Sequence, residues 1–340
     1  MTGVAQYTDF ISQNIALPGA QCIGVYAPGG QRIGGISLGH LASPDLGAKL
    51  YSFGALSDIH LSIDTAEDDF HRAMTFLQDT EQAAFVCIAG DLTDGNTDAQ
   101  WTKYAAITAE YNLPVYPVGG NHDASGSGQT DARFRQYTGH PLFYTVSHVD
   151  DIFIMISQGA WPSVSGGVQP FYQSHLQALY ESLETNRNKR CFVFMHPFPW
   201  GGAGDPFRLY SSNAFFGTQG QVIYSLMAHY PNAIWWHGHS HQRFEGQSLH
   251  DKANYDHDRG CHSIHIPSVT APVQVTGTST VKLLDGSQGY VVDVYANHIV
   301  LRGRDFASGR FLPIACYLLD TTLQTVAAGT YTDTTGTITT

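Results

Sequence analysis

Residues typical of metal binding and acid–base catalysis follow five short apolar segments of the chain. They are Asp58-Ile59-His60, Gly90-Asp91, Gly120-Asn121-His122-Asp123, His196 and Gly238-His239-Ser240-His241. Asp, Asn and His supply oxygen and nitrogen atoms that suit Mn, Fe, Zn or Ni better than metals that prefer thiolate ligands. The set is too large for one tetrahedral zinc ion. Two ions about 3.5–4 Å apart, bridged by one carboxylate, would use all of it.

The spacing inside these segments supports a shared site. In the patterns D-x-H and H-x-H, alternate side chains point to the same side of an extended backbone, so one loop can offer two ligands. The glycines before Asp91, Asn121 and His239 suit tight turns or a close approach of the backbone. Taken singly, each Asp or Asn has a second interpretation as a turn residue or a helix N-cap, and Asp123 shares it. Five segments in order favour the metal site.

The elements between these segments predict how the site is assembled. Apolar runs such as YSFGAL, AFVCIAG, CFVFM and AIWWHG predict buried strands. Stretches with helical spacing separate them, at 64–78, 97–111, 171–187 and 219–229. This alternation predicts βαβ units and a largely parallel sheet, whose ligands bind beyond the carboxyl ends of the strands. We also expect a hairpin in FYTVSHVDDIFIMISQG and further strands after Cys261.

The two ends of the chain differ from this pattern. Residues 1–50 predict a small β extension, with a hairpin at Pro28-Gly29-Gly30. The extension could serve partner docking or oligomerisation, or add a strand layer to the core. We expect the catalytic domain at 51–318. Residues 319–340 form a tail that is about half Thr, either an edge strand with a ragged end or a linker, and no structure is assigned to it.

Composition excludes several classes of protein. The 340 residues contain 17 Lys+Arg against 29 Asp+Glu, a net charge of −12 with 17 His counted neutral. This balance disfavours binding of long nucleic acid, because such binding needs clustered basic residues. Five separated cysteines without CxxC oppose a disulfide framework. The sequence shows neither a signal peptide nor an apolar stretch of about 20 residues, and we expect a cytoplasmic protein without a membrane partner. The oligomeric state stays open.

The ordered segments D-x-H, G-D, G-N-H-D, H and G-H-x-H resemble the calcineurin-like metallophosphoesterase family. The resemblance covers roughly residues 51–270, and extends to 318 if the C-terminal strands complete a second sheet. It implies an α/β fold of the four-layer α/β/β/α sandwich type with a dinuclear metal centre at the strand ends. By this resemblance one metal ion is held by Asp58, His60 and His241. The other is held by Asn121, His196 and His239, and Asp91 bridges the two. His122 is implied as the proton donor to the leaving group, with Asp123 as its candidate orienting partner.

This assignment predicts a metal-dependent phosphoesterase acting on a small phosphoester substrate. Two divalent or transition-metal ions would clamp the phosphate oxygens and lower the pKa of a bridging water towards ~7. The resulting hydroxide would attack phosphorus in line, and His122 would protonate the departing alkoxide.

Departures from family sub-patterns narrow the expected substrate. The segments GDLTDGN and GNHD lack the Arg of the GDxxDRG pattern and the Glu of GNHE, which disfavours a protein Ser/Thr phosphatase. Asp94 stands where purple acid phosphatases carry Tyr, which disfavours that centre. The segments GDLTD and GNHD are similar to those of the bacterial cyclic-nucleotide phosphodiesterase-like branch, so we expect a phosphodiesterase. A phosphomonoesterase, a nuclease and a binding or scaffold module that keeps the fold remain alternatives.

The loop after His196 is long, Gly-rich and aromatic, and it follows a predicted metal ligand directly. It could form a wall of the substrate pocket, because loops carry specificity more often than cores do. Its candidates for substrate contact are Trp200, Asp205, Arg208 and Asn213. The alternative is an ordinary surface loop with packing aromatics.

Overall fold

Five helices and eighteen strands are assigned in the part of the chain that the structure describes. The computed structural model describes residues 22–26, 32–37, 46–124, 130–159, 163–164, 167–168, 170–205, 219–248, 250, 252–276, 279–282 and 285–340. The helices are α1 (Ala66–Thr75), α2 (Asp98–Ala109), α3 (Thr130–Thr138), α4 (Gln173–Thr185) and α5 (Gly220–His229). The strands are β1 (Cys22–Tyr26), β2 (Arg32–Ser37), β3 (Tyr51–Leu56), β4 (Val86–Ala89), β5 (Val115–Val118), β6 (Phe143–His148), β7 (Asp151–Ile156), β8 (Ser163–Val164), β9 (Gly167–Val168), β10 (Cys191–Phe194), β11 (Ala233–His237), β12 (Tyr255–Asp256), β13 (His262–His265), β14 (Val273–Thr276), β15 (Ser279–Lys282), β16 (Gln288–Val294), β17 (His298–Asp305) and β18 (Arg310–Asp320).

Two six-stranded sheets form the centre of the fold. The first has the order β18-β17-β16-β3-β4-β5, and the second the order β12-β13-β11-β10-β7-β6. Strands β3, β4 and β5 are parallel in the first sheet, as are β7, β10, β11 and β13 in the second. The βαβ pattern predicts β3, β4, β5, β10 and β11, whereas β7 belongs to the predicted hairpin and β13 to the strands expected after Cys261. The antiparallel strands β16–β18 extend the first sheet, and β6 pairs with β7 as the predicted hairpin.

Aromatic side chains fill the space between the two sheets. Phe53 stacks on Phe85 at 5.4 Å between ring centroids, and Phe153 stacks on Phe192 at 4.6 Å. Phe53 of the first sheet meets Phe153 of the second edge to face at 5.3 Å. Every residue of β3 and of β7 is buried. Strands covered on both faces need apolar residues at every position, which explains their continuous apolar runs.

Helices cover the outer face of each sheet. Phe70 of α1, Trp101 of α2 and Phe134 of α3 pack on the first sheet. Leu176 of α4 and Leu226 of α5 pack on the second. The layers therefore follow the order α/β/β/α, which confirms the expected four-layer sandwich. None of the helices in the described part of the chain is long and apolar enough to cross a membrane.

The two ends of the chain behave differently. Strands β1 and β2 pair antiparallel, as the predicted hairpin requires, with their turn outside the described residues. Residues 321–340 form neither helix nor strand, yet the tail packs onto α4 and α5. The Tyr331 ring is buried 5.3 Å from the Tyr180 ring, and the backbone of Thr339 pairs with the Gln177 amide. The tail is thus a covering segment of the second helical layer.

Candidate metal centre

The predicted ligands converge at the carboxyl ends of five parallel strands. Asp58 and His60 follow β3, Asp91 follows β4, and Asn121 follows β5 in the first sheet. His196 follows β10, and the segment with His239 and His241 follows β11 in the second sheet. Since parallel strands end at the same edge of a sheet, both sheets deliver ligands to one place.

One group of ligand atoms comes from Asp58, His60, Asp91 and His241, and all four lie within 4.8 Å of one another. His241 Nε2 lies 3.1 Å from Asp58 Oδ1 and 3.0 Å from His60 Nε2. His60 Nε2 lies 3.5 Å from Asp91 Oδ2. These residues are buried, so the group can enclose one cation.

A second group comprises Asp91, His196 and His239. His196 Nε2 lies 3.0 Å from Asp91 Oδ2 and 3.0 Å from His239 Nδ1. The Asn121 carbonyl oxygen, Oδ1, lies 3.0 Å from the same His196 nitrogen. Asp91 belongs to both groups, which is the position of a bridging ligand.

The donor chemistry of both groups fits two cations. Asp58 and Asp91 are 0% and 1% exposed, and a buried carboxylate needs a positive partner. Among the described residues, the ion-pair partners of these two carboxylates are histidines. Imidazole nitrogens that face each other at 3.0 Å can share one proton at most. Two cations would satisfy both the carboxylates and the facing nitrogens.

The pKa values show that the site stabilises positive charge. Burial by itself would lower the pKa of His60, but Asp58, Asp94 and Asp91 raise it to about 10. Burial likewise opposes protonation of His196, and Asp91 and Asp58 raise its pKa to about 9. Burial and the neighbouring His196 lower the pKa of His239 to about 3.

The backbone at the site is strained at five of the predicted ligands, which adopt positive φ angles. They are Asp58 (54°), His60 (48°), Asp91 (51°), His239 (71°) and His241 (56°). Residues with a Cβ rarely adopt this left-handed region, and such strain clusters at functional sites. Cross-loop hydrogen bonds hold it, from Asp58 N to Gly90 O at 3.0 Å and from His60 N to Asp91 O at 2.9 Å.

The glycine before each of three ligands permits a close approach, which confirms the expectation from the sequence. A Cβ at Gly90, where φ is +94°, would lie 2.5 Å from His196 Nδ1. A Cβ at Gly120 would lie 2.2 Å from Asp91 Oδ1, and one at Gly238 only 1.8 Å from Ser57 Oγ. Any side chain at these positions would displace a ligand or its support.

His122 lies beside the first group, with its side chain 39% exposed. Its backbone N–H donates to Asp91 Oδ1 at 2.9 Å, and its ring lies 4.6 Å from that of His60. His122 Nδ1 is 2.6 Å from the Asp94 carbonyl oxygen, which can only accept, so Nδ1 carries a proton. The Asp94 carboxylate approaches the same nitrogen at 3.5 Å and His60 Nδ1 at 3.2 Å. Sequence reasoning missed Asp94 as this partner, although its place three residues after Asp91 was a signal.

Asp123 is expected from the sequence to orient His122, but its carboxylate makes other contacts. It accepts hydrogen bonds from the backbone N–H groups of Leu92, Thr93 and Gly120 and from the Thr93 hydroxyl, at 2.9–3.0 Å. Burial and the neighbouring charge of Asp91 raise the pKa of Asp123 to about 6. These contacts tie two loops together and leave the contact with His122 Nδ1 to Asp94.

The described part of the predicted pocket loop is held by contacts with the rest of the protein. The Trp200 backbone N–H donates to Tyr224 Oη at 3.1 Å, and the Arg259 guanidinium lies 4.4 Å above the Tyr224 ring. Asp205 is buried, whereas Arg208 and Asn213 lie outside the described residues. Phe198 was not singled out from the sequence, yet its ring is 5.7 Å from that of His239.

The fold and the site together define a class. A four-layer α/β/β/α sandwich with two carboxylate–histidine groups sharing one Asp is a metallophosphoesterase-type architecture. The family model for calcineurin-like phosphoesterases matches residues 51–243, more than half of the chain. The chain belongs to the calcineurin-like phosphoesterase family. No curated protein matches its sequence.

Solved structures are similar to this chain at low sequence identity. GAP50, described as the anchor in the inner membrane complex of Plasmodium, is 14% identical, with a TM-score of 0.52 over 85% of this chain and 93% of that chain. A predicted phosphoesterase from Streptococcus pneumoniae is 10% identical, with a TM-score of 0.38 over 81% and 99%. A single mutant of Vps29 from Entamoeba histolytica is 10% identical, with a TM-score of 0.36 over 79% and 98%. At 14% identity, the likeness to GAP50 shows the fold alone.

Proposed function

We propose that this protein is a phosphodiesterase that depends on two transition-metal ions and acts on a small phosphodiester. The observation that carries the proposal is the Asp91 carboxylate. It belongs to both ligand groups and accepts the His122 backbone N–H at 2.9 Å. When bound, two such cations neutralise phosphate charge and lower the pKa of water. Their identity among Mn, Fe, Zn and Ni is a matter for metal analysis.

The chain's own residues divide the work in this proposal. Asp58, His60 and His241 would hold one ion, and Asn121, His196 and His239 the other, with Asp91 between them. Asp94 fixes the His122 ring by accepting its Nδ1–H. The opposite nitrogen, Nε2, is then the atom that delivers a proton to the leaving oxygen. A positioned proton donor of this kind contributes about 10²–10⁴-fold in rate.

The charge beside His122 favours a diester over a monoester. A hydrogen bond from His60 lowers the pKa of Asp94 to about 2, so this partly exposed carboxylate is an anion at neutral pH. A phosphodiester carries one negative charge and a monoester close to two, so repulsion by Asp94 penalises the monoester more. In the described part of the chain, the ion-pair partners of Asp58, Asp91 and Asp94 are histidines. The GDLTD and GNHD segments, similar to the cyclic-nucleotide branch, point the same way.

Metal analysis of the purified protein, paired with a substrate panel, tests the proposal. We expect about two metal equivalents per chain, and a kcat/KM for bis(p-nitrophenyl) phosphate above that for p-nitrophenyl phosphate. A reversed preference would identify a phosphomonoesterase. Preferential cleavage of single-stranded DNA or RNA would identify a nuclease. Absence of bound metal under every reconstitution would refute the proposal.

An anchoring or scaffold role is the second candidate, favoured by the shared fold of GAP50, which is described as an anchor. The complete set of seven predicted ligands argues against it here, since a scaffold has no need of strained, buried metal ligands. Two bound metal equivalents without hydrolysis of any phosphoester in the panel would favour the scaffold. The cytoplasmic location and the small-molecule partner stay predictions.

A further inference from the structure

Two loops carry the bridging ligand and the proton donor, and a single carboxylate joins them. The loop after β4, residues 90–97, bears Asp91 and Asp94. The loop after β5, residues 119–124, bears Asn121 and His122. The Asp123 side chain lies between the loops and is 1% exposed.

Each oxygen of Asp123 accepts two hydrogen bonds. Oδ2 accepts from Leu92 N at 3.0 Å and from Gly120 N at 2.9 Å. Oδ1 accepts from Thr93 N and Thr93 Oγ1, both at 2.9 Å. A carboxylate offers about four lone-pair sites, so its acceptor capacity is used up. Three of the four donors lie on the loop of Asp91 and Asp94.

We propose that Asp123 is a positioning residue that sets the separation of the two loops. It thereby holds Asp91 against the Asn121 side of the metal centre and the Asp94 carbonyl against His122. This role differs from the direct contact with His122 expected from the sequence. Its effect on rate rests on the proposed phosphoesterase function, whereas its effect on loop geometry and metal affinity does not.

The surrounding contacts explain why one carboxylate can have this effect. His122 donates to Asp91 Oδ1 at 2.9 Å and to the Asp94 carbonyl at 2.6 Å, so both bonds cross the same pair of loops. At its far end the 90–97 loop is already fixed, because Trp101 Nε1 donates to Asn96 Oδ1 at 2.8 Å. A shift of the loop near Asp123 would therefore be concentrated at Asp91 and Asp94. Misplacement of about 1 Å can cost ~10²-fold in rate.

The Asp123→Asn variant tests this role at constant shape. Its amide NH₂ must face one of the two donor pairs whichever way it rotates, so the contact between the loops loses at least one hydrogen bond from a backbone N–H. Thr93→Val is a milder companion that removes the hydroxyl donor to Asp123 together with the acceptor of the Asn96 N–H at 3.2 Å. Asp69→Asn is the matched control, because Asp69 is also a buried carboxylate but accepts from Arg72 on α1.

Three measurements are made on each full-length variant. They are chelator competition for bound metal, kcat and KM for diesters with good and poor leaving groups, and hydrogen exchange at the Leu92 and Thr93 amides. For Asp123→Asn we expect metal affinity about 10–100-fold weaker. We also expect kcat about 10²-fold lower with poor leaving groups and less affected with good ones, at nearly unchanged KM. Thr93→Val should shift every readout the same way but less, and Asp69→Asn should shift only thermal stability.

Unchanged metal affinity and unchanged amide exchange in Asp123→Asn would overturn the proposal. So would an equal loss of kcat for good and poor leaving groups, accompanied by no more than the loss of stability seen in Asp69→Asn. If Asp123→Asn does not fold, unchanged readouts in Thr93→Val overturn it instead. If the wild type binds metal without cleaving any diester, the proposed function fails, and metal affinity still decides the role of Asp123. If it binds no metal, amide exchange decides.

Discussion

The metal centre and the Arg302 cluster both bury carboxylates, but different groups face them. The Arg302 cluster consists of Arg302, Asp293 and Glu81. Its guanidinium donates to Asp293 Oδ2 through Nε at 2.8 Å and to Glu81 Oε1 at 3.1 Å. In the metal centre, Asp58 and Asp91 meet imidazoles in the part of the chain that the structure describes.

This difference separates buried charge that is paired within the protein from buried charge that is suited to binding cations. A guanidinium is always protonated and matches carboxylates with a planar fork, so the carboxylates of the Arg302 cluster are neutralised without a metal ion. An imidazole can release its proton and offer the nitrogen to a metal, so the second arrangement is built to accept cations. The backbone agrees, because the three residues of the Arg302 cluster adopt ordinary φ angles while five metal-centre residues are left-handed.

The largest expected effect follows from neutralising the ligand shared by both groups. Asp91→Asn removes the bridging charge, and we expect loss of bound metal together with a fall of about 10⁴-fold in kcat/KM. Metal analysis and diesterase assays check this, with the exposed Asp79→Asn as control. Retained metal with retained activity would place the bridging ligand elsewhere.

His122→Ala distinguishes a proton donor from a metal ligand. We expect full metal content and a kcat lowered by about 10²–10⁴-fold for poor leaving groups, with a smaller loss for p-nitrophenolate. The measurement is kcat across a series of diesters, beside metal analysis. His71→Ala, whose imidazole contacts Tyr111, serves as control. Loss of metal in His122→Ala would show that this residue is a ligand and refute its role as a donor.

Arg302→Met tests the other side of the comparison. It leaves Asp293 and Glu81 without their guanidinium, and breaking such a buried pair costs about 3–5 kcal/mol of unfolding free energy. We expect kcat and metal content to stay at the wild-type level. Urea unfolding checks the stability, and exposed Arg310→Met on β18 should change it by less than about 0.5 kcal/mol. A loss of metal in Arg302→Met would erase the distinction between the two clusters.

The smallest effect concerns the pH dependence of stability. Burial would raise the pKa of Asp293, but Arg302, Ser52 and Lys49 hold it below its usual value. A carboxyl with a depressed pKa in the folded state stabilises the fold above its unfolded pKa of about 3.9, and the contribution is lost as pH falls through the folded pKa. In chelator, wild type should therefore lose more unfolding free energy between pH 7 and pH 3 than Asp293→Asn does. Parallel losses in the two proteins would contradict this sign.

Much of the site could be predicted because its signals are local in the chain. Buried strands carry continuous apolar runs, and the ligands follow them at once, so chain order alone placed Asp58, His60 and Asp91 at strand ends. Glycine marks the positions of close approach for the same reason, since its missing Cβ is a property of one residue. The four-layer arrangement came from the family resemblance, and the packing of both sheets confirms it.

The sequence by itself determined the type and order of the ligands, because strand patterns and side-chain chemistry depend only on residues that are close together in the chain. Only the tertiary structure decided which carboxylate touches His122 and which one joins the loops. It also decided that the Thr-rich tail packs on α4 and α5. Asp94 and Asp123 are similar polar loop residues in the sequence. Their roles diverge because the fold brings together loops some 30 residues apart. His122 Nδ1 then donates to the Asp94 backbone carbonyl, whereas the buried Asp123 carboxylate accepts from the Leu92 N–H.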